Sequence, residues 1–296
     1  MRNKRLPNMS RMAIHENKQH TKWASWLGLV PFFFFGLAFE FLPLLTILQS
    51  SITRNGTFTL DFYKRAMDPM FQRAFINSIN LSAVTAILGV AFGTLVAYAI
   101  ITSPNKFLRN ALTALSDVTT NFGGAPLAFA FIIILGSTGV ITMILQKIGI
   151  NLYPNFRIYS ISGLSIAYLY FQIPLMILLI IPSLLGLRKE WREAAMNLGA
   201  TSKQYWLRIA LPILFPSLLS GFLLLFANSF GAYATAWTLT GSDVDLITIR
   251  IAALIRGEVQ LEPQLADALA TISLIIMTTC VIGYLWLSSR TRKARA

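Results

Sequence analysis

The hydrophobic positions of this chain are gathered into six long stretches, separated by shorter segments that hold nearly all of the charged residues. Each stretch has the roughly 20 mostly apolar residues that a helix needs to cross a bilayer. The stretches are too long and too uniformly apolar for the alternating strands of a membrane barrel. The pattern therefore predicts an all-α integral membrane protein with six transmembrane helices, over residues 24–50, 79–102, 112–136, 161–185, 213–239 and 268–288.

Positive charge is distributed unevenly over the segments that flank these spans. All 25 Lys and Arg residues lie outside the spans, and 17 of them fall in the N-terminal arm, the tail and the segments that follow spans 2 and 4. The segments on the other side hold the remaining 8. Because short cytoplasmic segments carry the excess of Lys and Arg, both termini are expected to be cytoplasmic. The chain then divides into a cytoplasmic arm (1–23), a six-span membrane domain (24–288) and a cytoplasmic tail (289–296).

Composition excludes several other classes of protein. With 55% hydrophobic and only 12% charged residues, the chain is too apolar to be disordered. The net charge of +13 is therefore interpreted as a signal of membrane orientation, and no nucleic-acid partner is expected. The single cysteine, Cys280, rules out a disulfide framework and is expected to be a buried small hydrophobic residue. The first apolar run, of about 27 residues, exceeds the core of a signal peptide, so we expect an uncleaved span.

No recognisable catalytic or metal-binding motif accompanies the spans. The sequence has no G-x-x-x-x-G-K-[ST] phosphate loop, no H-E-x-x-H zinc pair and no G-x-S-x-G nucleophile elbow. Both histidines, His15 and His20, lie in the polar N-terminal arm without a cluster of other metal-ligand residues. We therefore expect a protein that is not an enzyme and that holds no metal or cofactor of its own.

The segment between spans 4 and 5, residues 186–212, differs from the other connections. Its residues predict two short helices separated at Gly199, because glycine accepts the left-handed conformation that ends a helix. Thr201 followed by Gln204 has the spacing of a capping box for the second helix. Such a helix–turn–helix at a membrane surface could be a docking site for another protein. From the residues alone, a solvated basic connection is an equally good interpretation.

The same segment resembles a known family. Its residues match the pattern E-A-A-x3-G-x9-I-x-L-P, which is the EAA motif of binding-protein-dependent ABC importer permeases of type I. The matching residues are Glu193, Ala194, Ala195, Gly199, Ile209, Leu211 and Pro212. The resemblance implies that this loop couples the permease to a cytoplasmic dimer of ABC ATPases, which would bind ATP and Mg. It also implies a second permease subunit, an extracytoplasmic solute-binding protein and a location in the lipid of the bacterial inner membrane.

A finer resemblance is to permeases of the spermidine/putrescine branch, whose relatives also include permeases for ferric iron and phosphonates. It is carried by residues 58–63, by Asn77-Ser78 and by residues 193–212. The implied solute is small and belongs to the polyamine-like, ferric iron or phosphonate class. The alternative is a secondary transporter driven by an ion gradient, which would normally show broken helices and buried ion sites in both halves. Only span 3 is predicted to be broken, at Gly123, Gly124 and Pro126.

Polar residues within the spans are candidates for the translocation path, because they are costly in lipid and usually face the interior of the bundle. Asp117 could equally cap or pair near the cytoplasmic interface, and Glu40 could serve helix packing, a partner subunit or the solute. Gly89 and Gly93 are interpreted as a close-packing face of span 2. The segment 243–267 could rest on the membrane or receive a binding protein. The candidate path residues are Asp117, Asn121, Asn228, Ser229 and Tyr233.

Overall fold

The computed structural model describes residues 29–258 and 261–293. Within these ranges it contains six helical segments long and apolar enough to cross a membrane, which confirms the predicted all-α, six-span fold. The N-terminal arm, the first residues of the first predicted span, both histidines and the last three residues of the tail lie outside the described ranges. The six segments are Val30–Ser51, Pro69–Thr102, Gly124–Lys147, Ile161–Leu185, Ser202–Phe230 and Pro263–Ser289.

The first span is followed by a small hairpin. Helix α1 (Val30–Gly36) continues through a π-helical turn (Leu37–Phe41) into α2 (Leu42–Ser51). The wide turn precedes Pro43, which has no backbone N–H to donate to the helical ladder. Strands β1 (Thr53–Arg54) and β2 (Thr57–Phe58) then pair in an antiparallel arrangement, with Thr53 opposite Phe58. Asn55 and Gly56 both have positive φ, as a tight hairpin turn requires.

Glu40 lies exposed on the first span, in its π-helical turn.

The core of the bundle is formed by four long helices. They are α4 (Pro69–Thr102), α8 (Ile161–Leu185), α11 (Leu211–Phe230) and α14 (Pro263–Lys293). Gly93 lets α4 approach α8 closely, since a Cβ added there would lie 2.6 Å from Cβ of Met176. At Gly89 an added Cβ would lie 2.8 Å from Cδ2 of Leu225 on α11. The two glycines therefore allow close helix packing, as the sequence indicates.

The third predicted span, 112–136, is two helices in the structure. Helix α5 (Lys106–Asn121) ends before Gly123, and α6 (Gly124–Leu135) begins with φ of +70° at Gly124. The predicted break is thus confirmed, but both bounds of the predicted span were wrong, because the segment that can cross the membrane is Gly124–Lys147. Helix α5 is amphipathic, with Arg109, Thr113 and Asp117 along one face, and its apolar face made residues 112–121 resemble the start of a span. Helix α7 (Val140–Lys147) follows.

The fifth predicted span, 213–239, is also broken. A continuous helical segment starts earlier, at Ser202, and runs through a π-helical turn (Trp206–Ala210) into α11, which ends at Phe230. The chain leaves the helical path at Gly231–Ala232 and resumes as α12 (Tyr233–Thr240). The expectation that only span 3 is broken was therefore wrong. A single glycine in a long apolar run gave too little signal in the sequence, because isolated glycines are tolerated within helices.

The two ends of the bundle differ in their connections. We call the end that carries residues 186–212 the EAA end, and the end that carries the β1–β2 hairpin the opposite end. At the opposite end, α3 (Asp61–Arg65) contacts α14, and Arg65 Nη1 lies 2.6 Å from Glu262 Oε2. The hydrogen bond to Glu262 is the largest cause that raises the pKa of Arg65, against an opposing effect of burial.

The segment 243–267 is attached to the start of α4. It forms α13 (Ile247–Arg256), whose residues Ile247 and Ile249 are buried. The N–H of Ile247 donates to Oγ of Ser78 at 2.9 Å, and Nδ2 of Asn77 donates to the carbonyl of Asp245 at 3.0 Å. Asn77 and Ser78 therefore position this segment against the bundle. Helix α14 begins at Pro263, five residues before the predicted sixth span.

Candidate coupling loop and solute path

The residues of the EAA motif form a helix–turn–helix. Helix α9 (Lys189–Asn197) ends at a glycine turn in which Gly199 has φ of +83°. The N–H of Gly199 donates to the carbonyl of Met196 at 2.9 Å, and the N–H of Ala200 donates to the carbonyl of Ala195 at 3.0 Å. This pair of hydrogen bonds is the Schellman motif, which satisfies carbonyls at the end of the helix. Gly199 therefore fixes the direction in which the chain leaves α9.

The second helix of the loop starts at the predicted capping box. Oγ1 of Thr201 accepts a hydrogen bond from the N–H of Gln204 at 3.3 Å, and Oε1 of Gln204 accepts one from the N–H of Thr201 at 2.8 Å. The short helix α10 (Ser202–Tyr205) then continues directly towards α11. The loop and the fifth span are therefore joined by one continuous helical segment, Ser202–Phe230, which passes through the π-helical turn at Trp206–Ala210.

The EAA residues fall into a buried and an exposed set. Ala195 packs with Tyr205 and Ala210 in a small core within the loop, so its side chain spaces the two helices. Glu193, Ala194 and Gly199 are exposed, as are Leu211 and Pro212, whereas Ile209 is partly buried. Leu198, which sequence reasoning did not single out, is 88% exposed at the tip of the turn. A leucine immediately before the turn glycine of a docking loop is the signal that could have identified it.

The breaks in the third and fifth spans face each other. Oγ1 of Thr235, just after the fifth-span break, donates to the carbonyl of Gly124 at 3.3 Å. The hydroxyl of Tyr168 on α8 donates to the carbonyl of Ala232, at the fifth-span break, at 2.7 Å. Between the breaks lies a cavity of about 580 Å³, which we call the break cavity. Its walls are formed by Thr120, Asn121, Gly123, Gly124, Phe171, Asn228, Gly231, Ala232, Tyr233, Ala234 and Thr235.

Three of the five predicted path residues meet at this cavity, and two do not. Asn121, Asn228 and Tyr233 line it. The side chain of Ser229 points elsewhere. It is buried, and its Oγ lies 3.1 Å from Oγ1 of Thr85, which also accepts a hydrogen bond from Nε2 of Gln172. Neighbouring positions on a helix face different directions, so Asn228 reaches the cavity while Ser229 joins the helix packing.

Asp117 lines a separate cavity nearer the EAA end. This cavity has a volume of about 590 Å³, and its lining includes Arg109, Asn110 and Thr113 from the same face of α5. The backbone carbonyl of Asp117 accepts a hydrogen bond from Nδ2 of Asn121 at 2.9 Å. The polar stripe of α5 therefore runs from this EAA-end cavity to the break cavity.

The side chain of Arg256 packs against Tyr233, whose ring lines the break cavity. The guanidinium carbon of Arg256 is 5.6 Å from the ring centre of Tyr233 and 5.2 Å from that of Trp237. The two rings belong to α12 and stack on each other. Arg256 Nη1 also lies 3.5 Å from a carboxylate oxygen of Glu258. Among residues 29–258 and 261–293, no group of three or more His, Cys, Asp or Glu side chains could hold a metal ion.

The fold, the EAA loop and the broken helices define a class of protein. Residues 89–293 match the family of binding-protein-dependent transport system inner membrane components. The chain belongs to this family, and is therefore a permease subunit of an ABC importer rather than a transporter driven by an ion gradient.

The names of individual relatives refer to two different kinds of solute. The chain is 27% identical over 216 residues to the spermidine/putrescine transport system permease protein PotB of Escherichia coli, covering 71% of this chain and 78% of the relative. It is 24% identical over 293 residues to the probable sulfate transport system permease protein cysT of Nephroselmis olivacea, covering 98% of both. A solved bacterial ABC transporter involved in alginate import has the same fold, with a TM-score of 0.68 and 18% identity over 94% of this chain and 98% of that one.

Proposed function

We propose that this chain forms part of the path of an ATP-driven importer and is driven by an ABC ATPase dimer that docks on residues 186–212. The observation that carries the proposal is the exposed surface of this loop. Leu198, Glu193 and Ala194 are exposed beside a turn whose geometry is fixed by two backbone hydrogen bonds. Trp191, Met196 and Leu198 are all exposed on this loop, and several exposed apolar side chains on a short segment outside the spans are typical of a protein interaction site.

The partners follow from this mechanism. The ATPases would bind ATP and Mg, so this chain needs no cofactor, and closure of the ATPase pair would move the loop and the continuous helix that begins at Ser202. A second permease subunit would complete the path. A solute-binding protein would deliver the solute at the opposite end. A structure of the alginate transporter with the same fold contains a solute-bound periplasmic protein, which supports a partner of this kind.

The orientation and the solute are part of the same proposal. The excess of Lys and Arg would place the EAA end and both termini in the cytoplasm of a bacterial cell. The solute is proposed to be small and charged, of the polyamine-like, ferric iron or phosphonate class. The names of the relatives support the polyamine class and add sulfate to these candidates.

Co-purification with the ATPase tests the docking surface. Leu198→Ala and Glu193→Lys are each expected to weaken retention of the ATPase by roughly tenfold or more, because a buried leucine contributes about 1.5–3 kcal/mol and charge reversal opposes docking. Two matched controls lie at the opposite end: Leu261→Ala, at an exposed leucine, and Asp61→Lys, at an exposed acid. Normal ATPase retention by both loop variants would overturn the proposal.

A further inference from the structure

We infer that this chain binds the headgroup of an anionic phospholipid in a cavity at the EAA end, between the ends of α4 and α8 and the start of α9. We call it the headgroup cavity, and its volume is about 480 Å³. The inference goes beyond the proposed function, because a lipid can bind there whether or not an ATPase docks on the loop. It is carried by cations without ion-pair partners, by aromatic rings at the ends of the spans, and by an exposed apolar face that leads away from the cavity.

The headgroup cavity has an excess of positive charge. Arg188, Lys189 and Arg192 line it, together with one carboxylate, that of Glu190. Within the described ranges, none of these three cations forms an ion pair with a carboxylate. Arg188 instead contacts the ring of Trp191, with 5.9 Å between the guanidinium carbon and the ring centre. The N–H groups of the cations are thus available to a phosphate group, which guanidinium groups bind well.

The headgroup cavity and the proposed ATPase surface lie on different sides of α9. Arg192 and Ala195 are three positions apart and therefore share a face of the helix. Ala195 is buried against Tyr205, which also lines the cavity, so this face is turned towards the spans. Glu193 lies two positions from Ala195, about 160° around the helix, and points away from them. A protein docked on Glu193 and Leu198 would therefore leave the headgroup cavity uncovered.

Aromatic side chains mark the level of this cavity in the membrane. It lies where α4 ends at Thr102 and α8 ends at Leu185. Tyr98 and Trp206 line it, and their rings meet edge to face with 5.0 Å between their centres. Tyr and Trp are enriched at the level of the lipid headgroups, because their rings are apolar and their O–H and N–H groups are polar. The cations are thus placed where a phospholipid carries its phosphate.

An exposed apolar face of α4 leads from the cavity along the bundle. Val84, Ile87 and Leu95 are all exposed. Their spacing places them on the same face of the helix as Tyr98 and Thr102, which line the cavity. The acyl chains of a lipid whose headgroup lies in the cavity would cover this face. A free phosphate ion would use the cations alone, so the apolar face favours a phospholipid as the occupant.

Binding of defined phospholipids to the full chain tests this inference. The chain would be purified in detergent, delipidated and titrated with phosphatidylglycerol or with zwitterionic phosphatidylcholine of the same acyl chains, and native mass spectrometry would count the bound lipid. The parent chain is expected to bind phosphatidylglycerol at least about tenfold more tightly than phosphatidylcholine. The double variant Arg188→Gln with Arg192→Gln should reduce this preference to about twofold or less, because two cations that attract the anionic headgroup are lost.

The double variant Arg73→Gln with Lys147→Gln is the matched control. It removes two exposed cations at the opposite end, which form no ion pair within the described ranges, and should leave the preference unchanged. Binding of phosphatidylcholine, which should be the same in all three proteins, reports that the variants are folded.

The outcomes distinguish a lipid from other occupants of the cavity. Equal binding of the two lipids by the parent chain, or a preference that changes equally in the two double variants or in neither, would overturn the inference. Displacement of bound phosphatidylglycerol by millimolar inorganic phosphate would also overturn it, and would assign the cavity to a soluble ion. Displacement by the ATPase would overturn it as well, and would assign the cavity to the docked protein.

Discussion

Gly199 and Asn228 are the residues on which the account depends most. Gly199 has φ of +83°, and a Cβ added there would meet no atom within 4 Å. A side chain at this position would therefore be opposed by backbone strain alone. Asn228 is one residue from Ser229, yet the first lines a cavity and the second packs in the core. The sequence identified Asn228 and Ser229 as polar residues in a span. It could not show which way each side chain points, because this depends on where the helix is broken.

Gly199→Val should uncouple the ATPase from the solute. A valine in the left-handed region costs roughly 1–2 kcal/mol, which the loop can relieve by leaving its Schellman geometry and displacing Leu198. We expect ATPase stimulation by the solute-loaded binding protein to be lost while the protein still inserts in the membrane.

Gly149→Val is the matched control for that variant. Gly149 has φ of +85°, no atom within 4 Å of an added Cβ, and the same pair of backbone hydrogen bonds at the end of α7. The backbone strain is equivalent, but the site lies at the opposite end, so stimulation should persist. Equal loss of stimulation in both variants would show that strain, and not the position of the EAA turn, is responsible.

At the scale of the elements, the facing breaks of the third and fifth spans are the main finding. The first break could be predicted, because Gly123, Gly124 and Pro126 all disfavour a continuous helix within four residues. The second could not, because Gly231 is an isolated glycine without a neighbouring proline, and isolated glycines are tolerated within helices. The structure shows how the two breaks are held together: the side chains of Tyr168 and Thr235 donate hydrogen bonds to the carbonyls of Ala232 and Gly124, where helices α12 and α6 resume. Such long-range partners leave no periodic pattern in the sequence.

Tyr168→Phe should destabilise the bundle at the fifth-span break. The variant removes the hydroxyl that donates to the carbonyl of Ala232 at 2.7 Å, from a side chain that is 1% exposed. We expect a loss of about 0.5–1.5 kcal/mol in the free energy of unfolding, measured by denaturant unfolding in detergent. Tyr170→Phe, on the same helix, removes a hydroxyl from a side chain that is 40% exposed and should change stability by less than about 0.5 kcal/mol. Equal stability of the two variants would contradict the role of Tyr168.

At the scale of the whole molecule, one continuous helical segment joins the EAA loop to the break cavity. The helical segment Ser202–Phe230 begins in the loop and ends at the cavity wall, with a capping box at its start and Asn228 near its end. The number of spans and the EAA motif could be predicted from hydropathy and spacing. The connection between loop and cavity could not, because Pro212 suggested a boundary where the structure has a π-helical turn and a continuous helix.

The accessibility of position 228 in the assembled transporter tests this connection most directly. With Cys280→Ser removing the native cysteine, Asn228→Cys would be labelled by a membrane-impermeant maleimide, without nucleotide and with the ATPases trapped in their ATP-bound state. We expect trapping to change the labelling rate in the otherwise unaltered transporter, and Gly199→Val to abolish this change. A labelling rate that is the same in both nucleotide states, or a change that persists in Gly199→Val, would contradict the account.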